Sequence, residues 1–147
     1  MPYFICPNCA RRSIDHDRRD GLTHQAVGCA SCGFGFLFEL MDDYYPGPST
    51  AFVVCDRDRR VLAAGRGVFE LTGWGERELI GRDVTEALSL NSGEGPNPAA
   101  VAAEWGVRQL DRRILLTTRS GLRKQVRADF FPAYDEDGGL LVAIAPV

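Results

Sequence analysis

A chain of 147 residues, 45% hydrophobic and 25% charged, holds one ordinary domain or one with a small appendage, and is too apolar for disorder over most of its length. The net charge is −3, with 4 basic against 6 acidic residues before Tyr45 and 13 against 14 from there on, which excludes a chain dominated by nucleic-acid electrostatics. Five cysteines, four of them in two CxxC pairs, favour a reducing, cytoplasmic setting over a disulfide scaffold, and neither a secretory leader nor a run of membrane-spanning length is seen.

The first element is built on those pairs. Cys6-Pro7-Asn8-Cys9 and Cys29-Ala30-Ser31-Cys32 stand 19 residues apart, inside the spacing of a four-cysteine zinc site. About 45 residues cannot bury enough apolar surface to hold themselves together, and a tetrahedral ion supplies what the core lacks. Structural zinc contributes on the order of 10 kcal/mol in small metal-dependent domains, enough to decide whether such a segment folds. Between the pairs, 11–21 is polar and turn-rich, while 33–40 alternates bulky apolar residues with others as a strand does. Over residues 3–40 the chain resembles a zinc ribbon. The same four thiolates suit a rubredoxin-like iron centre, and a disulfide pair or redox CxxC shares the motif. Four thiolates leave no open coordination position, so His16 and His24 read as loop histidines and no hydrolytic chemistry is expected.

Residues 46–50, Pro-Gly-Pro-Ser-Thr, mark a boundary and a short, restrained linker. Phe52-Val53-Val54-Cys55 and Val61-Leu62-Ala63-Ala64 then read as strands joined by the charged turn Asp56-Arg57-Asp58-Arg59. Short helices follow, with Val68, Phe69, Leu71, Leu79 and Ile80 at packing intervals and Gly73, Gly75 and Gly81 between them. The stretch AFVVCDRDRRVLAAGRGVFELTGWGERELIGRDV closely resembles the opening half of a PAS domain, a sensor module whose five-stranded antiparallel sheet is cupped around small helices. Many relatives carry Asn just before the first helix; Gly65 and Arg66 stand here, so that capping contact does not carry over.

Beyond a loop at 90–97, the alanine-rich 98–106 predicts a helix with Asn97 as its cap. Three strands are expected at 113–118, 123–131 and 140–145, turning at Ser120-Gly121 and across 135–139. Neither Asp56-Arg57-Asp58 nor the acidic turn at 135–137 fits a calcium loop, because Gly67 and Pro146 occupy the positions of its closing glutamate. The expected architecture is α+β: a zinc ribbon over 1–45, a linker over 46–50, and a PAS-like sheet with short helices over 51–147.

The resemblance implies a cup able to take haem, flavin, a metabolite or nothing. Cysteine-adduct flavin chemistry does not carry over, because 81–105 contains no Cys, and histidine-ligated haem fails because no His follows His24. Cys55 and Trp105 are the candidate pocket residues: Cys55 as a buried small hydrophobe or a reactive thiol, Trp105 as a stacking surface or core. Trp74 reads as packing. Arg108, Arg112, Arg113, Arg119, Arg123, Lys124 and Arg127 form the one basic concentration, which reads as a solvated sheet face, with an acidic partner or nucleic acid as the alternative. Catalysis finds no support: both histidines lie in the ribbon loop, no phosphate loop is present, and Gly65-Arg66-Gly67 lacks the third glycine of a dinucleotide fingerprint. The resulting expectation is a non-enzymatic sensory or interaction module in signalling or transcriptional control, with a protein partner or a homodimer through the sheet face. A nucleic-acid-binding ribbon regulated by the PAS half and an iron redox protein are the alternatives.

Overall fold

The computed structural model describes residues 3–6, 12–13, 38–40, 47–93, 95–132 and 139–147. Near the N-terminus, β1 (Tyr3–Ile5), β2 (Arg12–Ser13) and β3 (Phe38–Leu40) form a three-stranded antiparallel sheet with β1 in the middle. Phe4 pairs with Ser13 on one side and Glu39 on the other. Residues 33–37 of the expected strand lie outside the described residues.

The C-terminal half is a five-stranded antiparallel sheet in the order β5-β4-β8-β7-β6. Its strands are β4 (Ala51–Cys55), β5 (Val61–Ala64), β6 (Gln109–Thr117), β7 (Arg123–Pro132) and β8 (Leu140–Pro146). Between β5 and β6 the chain crosses over through α1 (Val68–Thr72), α2 (Glu76–Leu79), α3 (Val84–Ala87) and α4 (Pro98–Trp105). The first and last strands, β4 and β8, pair at the sheet centre, Val53 opposite Val142.

Helices this short do not persist on their own, so caps and packing must hold them. Asp83 accepts the amides of Thr85 at 2.9 Å and Glu86 at 3.3 Å to start α3. Asn97 caps α4 through Ala99 N–H at 3.0 Å, and its Nδ2 donates to Thr85 Oγ1. In α1 the Asn missing before the helix is replaced by backbone freedom. Gly67 takes φ 79° without any side-chain cap, and a Cβ there would lie 3.1 Å from Ala51 Cα.

The strand expected at 113–118 begins instead at Gln109. Its register shifts between Gln109 and Arg112, where Asp111 adopts φ 57°. Asp129 Oδ1, across the ladder on β7, accepts the Asp111 amide at 2.7 Å and holds this bulge. That partner is remote in sequence, so 108–112 carried no local strand signal.

Side-chain alternation sends Val53, Cys55, Ile114, Leu116, Val126, Phe130 and Ile144 toward the helices, where they form one core with Leu79, Val84, Leu88, Ala99 and Ala102. The opposite parity is also closed on part of the sheet: Phe52, Val54, Phe131, Leu141 and Ala143 are at most 1% exposed. On β6 and β7 that outer face instead presents Arg113, Arg123, Gln125 and Arg127 to solvent. The apolar part of the sheet face expected to carry a homodimer is therefore already covered in a single chain, and what remains open is largely polar. The linker is tied down: Gly47 O accepts from Thr50 N–H and from Arg66 Nη2 at 2.8 Å. Among the described residues no helix is long and apolar enough to cross a membrane.

Candidate functional site

The cup between sheet and helices is the first place to look for chemistry, and its described lining is apolar. The core cluster contains no carboxylate, amine or imidazole among the described residues, and the buried polar side chains are Thr50, Thr72 and Thr118. Thr72 Oγ1 donates to Val68 O at 2.6 Å and accepts from Trp74 N–H, so it is spent on local structure. Among the described residues the one titratable group in this cluster is the Cys55 thiol.

Cys55 lies at the end of β4 inside this core, 1% exposed. Burial first, then the carboxylates of Asp56 and Asp83, push its thiol well above the ordinary range, so it stays protonated at neutral pH. A neutral buried thiol is a packing group. Trp105 requires a correction: it ends α4 with 77% exposure and stands outside the core cluster, so it neither packs in the core nor offers a ring inside the cup. Helical periodicity allowed the inward position, but the eight-residue helix ends there and Gly106 turns the chain away at φ 69°.

Trp74 holds the more constrained aromatic position. Arg82 and Arg119 bring their guanidiniums to 5.4 Å and 5.6 Å from its ring. Arg119 Nη1 also donates to Glu78 Oε1 at 2.8 Å, the oxygen that accepts the Gly75 amide. With Lys124 Nζ on Leu71 O at 3.2 Å, the turn between β6 and β7 is fastened to α1 and α2. An apolar groove of about 550 Å³ runs along this seam between Phe69, Leu71 and Leu122. Phe69 is 63% and Leu122 58% exposed. No sequence signal marked this groove, because its walls come from elements far apart in the chain.

A second, polar cleft of about 1140 Å³ lies beside the β4–β5 turn. Arg57, Arg59, Arg60 and Arg82 face Asp58, Asp83, Glu86 and Glu104 there. Arg59 donates to Glu104 Oε1 at 2.8 Å and approaches Asp83 Oδ2 at 3.9 Å, while Arg60 donates to Gly81 O. These charges largely neutralise one another, so the cleft exerts little net attraction on a polyanion. The turn itself is held by Asp56 Oδ1, which accepts the amides of Asp58 and Arg60 at 2.9 Å.

Of the four CxxC cysteines, Cys6 is described and buried, directly after β1. Cys9, Cys29 and Cys32 lie outside the described residues, as do His16, His24 and the acidic turn at 135–137. Among the described residues no group of three metal-ligating side chains comes together.

No family model matches the sequence, and no curated protein matches it. Solved structures share its fold. The PAS domain of a protein from Colwellia psychrerythraea superposes with a TM-score of 0.55 at 19% identity, covering 67% of this chain and 86% of that one. A fungal LOV-domain photoreceptor gives 0.61 at 19% identity over 74% and 80%. The light-state dimer of the fungal blue-light photoreceptor Vivid gives 0.58 at 16% identity over 71% and 82%. Identities this low establish the fold alone.

Proposed function

We propose, from the PAS fold of residues 51–147, that this protein is a non-enzymatic sensory or protein-interaction module of a signalling or transcriptional pathway, carrying a structural zinc ribbon over residues 1–45. The observation that carries this reading is the strand order β5-β4-β8-β7-β6 around an apolar interior whose one titratable group among its described residues is the buried Cys55 thiol. Such an interior suits packing or the capture of a small apolar molecule, whereas catalysis needs charge or a proton carrier. The photoreceptor resemblance does not extend to adduct chemistry, because the thiol of this half, Cys55, sits on a strand and is held protonated. A protein partner or second copy is supported by the Vivid dimer among the structural neighbours and by the open groove between Phe69 and Leu122.

For the metal, support comes from the CxxC spacing and from Cys6, a buried thiol beside the central strand of a small antiparallel sheet. With Cys9, Cys29 and Cys32 it would complete four-thiolate coordination, which supplies folding energy and no reaction. A cytoplasmic location follows from the reduced thiols this site needs.

Native mass spectrometry with an absorption spectrum, on full-length protein from its own host, tests this reading. The expected result is one colourless divalent ion per chain together with a retained small molecule, a second copy or a partner protein. A metal-free, ligand-free monomer, or a reddish iron spectrum, would overturn it.

A further inference from the structure

The open outer face of β6 and β7 carries charges that the described chain leaves unanswered. Arg113, Leu115 and Thr117 on β6 stand opposite Arg127, Gln125 and Arg123 on β7. Leu115 turns both its N–H and its carbonyl oxygen away from β7, to Asn91 at 3.0 Å and 2.9 Å. Rows of its parity are therefore the close, non-hydrogen-bonded pairs of the ladder, with Cβ atoms about 4.5–5.5 Å apart. One of these rows sets Arg113 directly against Arg127, a like-charge pair that weakens a sheet.

Asp111 offsets Arg127 at 3.4 Å, and Asp129 is engaged at the bulge by the Asp111 amide. Among the described residues the guanidiniums of Arg113 and Arg123 have no partner, whereas those of Arg59, Arg60, Arg66 and Arg119 each donate to a carboxylate or a carbonyl oxygen. Between the two lie Gln125 and Leu115, the latter 43% exposed. Arg123 is four residues along β7 from the residue opposite Arg113, which separates the two backbones by roughly 14 Å. A second copy of the chain fits this face poorly, because a symmetric contact sets the same guanidiniums against one another. Nucleic acid gains little from two free cations with an apolar side chain between them, on a chain of net charge −3.

We propose, resting on the interaction-module reading above, that the outer face of β6 and β7 docks an acidic protein partner. Its carboxylates pair with Arg113 and Arg123, roughly 14 Å apart, and an apolar side chain between them covers Leu115. Guanidinium forks match carboxylates with two parallel hydrogen bonds, and the partner's negative charge relieves the opposition of Arg113 and Arg127.

The test places the photo-crosslinking residue p-benzoylphenylalanine at Leu115 of the full chain, and in a second chain at Phe69 in the groove beside α1, in cells of the protein's own host. Irradiation of the first is expected to join it to another protein, at peptides in which Asp or Glu flank the attachment point. Reversing both charges, Arg113→Glu with Arg123→Glu, should cut that yield at least tenfold, and Arg113→Gln with Arg123→Gln severalfold. Arg77→Glu, at an exposed guanidinium on α2, should leave it unchanged. The thermal midpoint of the doubly reversed chain should stay level or rise, since the like-charge row is gone, which separates lost docking from unfolding. Cross-links at Leu115 to a second copy, to nucleic acid or to a peptide without carboxylates would overturn the proposal, as would a yield indifferent to the reversals. Capture at Phe69 without capture at Leu115 would overturn it and leave the interaction-module reading standing, and no capture at either position would remove both.

Discussion

Arg59, in the turn between β4 and β5, places its guanidinium 2.8 Å from Glu104 on α4 and ties the first hairpin to the helix that crosses the sheet. It does so from φ 67°, a conformation that costs a side-chain-bearing residue about 1–2 kcal/mol. The pair is partly exposed, so its attraction is about 0.2–1 kcal/mol and weakens with salt. Arg59→Gly should therefore leave stability nearly unchanged, whereas Arg59→Ala loses the pair and keeps the strain. Denaturant titrations should rank Arg59→Ala below Arg59→Gly by about 1 kcal/mol; the reverse order would mean that the backbone carries no strain there.

Gly67 meets the opposite constraint. An alanine Cβ would stand 3.1 Å from Ala51 Cα in a backbone already at φ 79°. Gly67→Ala should cost about 2 kcal/mol or more, read as a fall in thermal midpoint of roughly 4–8 °C per kcal/mol for a domain of this size.

Cys55 makes stability depend on pH at the alkaline end. Its folded-state value is raised above the ordinary 9.0, so the folded chain keeps the proton after the unfolded chain has released it. The contribution is complete below pH 9 and shrinks as pH rises through and beyond that value, at about 1.4 kcal/mol per pH unit. Cys55→Ala should lose stability at neutral pH through its smaller side chain, but fall off less steeply than wild type between pH 9 and 10.5. Parallel curves would place the thiol in water.

Trp105 and Trp74 should separate by fluorescence. Trp105→Ala removes a ring that is 77% exposed and should change stability by no more than about 0.5 kcal/mol while deleting the water-exposed emission. Trp74→Ala breaks the stack with Arg82 and Arg119 at the α1–α2 corner and should cost several times more.

With the proposed four-thiolate site, Cys6→Ser should cost the chain its metal ion, read by native mass spectrometry, while the PAS half keeps a cooperative unfolding transition because it has its own core. Loss of all cooperative unfolding would count against a sheet with its own core.

The five PAS strands were legible because alternation and turn chemistry are local. Val61 to Ala64 matched to the residue, and Asn97 caps α4 as its position beside Pro98 suggested. β6 was misjudged at its start because the Asp129 carboxylate that holds the Asp111 bulge comes from another strand. The direction of Trp105 failed for a related reason: at the last residue of a helix the sequence permits either face, and only the end of α4 at Gly106 selects solvent.

Residue order alone determined the composition of the core, the CxxC spacing of the upstream cysteines and the absence of histidine from 51–147, since each depends on which side chains exist and how far apart they sit along the chain. Tertiary structure decided what those side chains meet: that Cys55 is held protonated, that Trp74 has two guanidiniums against its ring, and that Phe52, Val54 and Leu141 are covered although they point away from the helices. Several of these contacts join residues tens of positions apart, as Trp74 and Arg119 are, and their energies depend on distance and solvent exclusion, which are set by the folded chain.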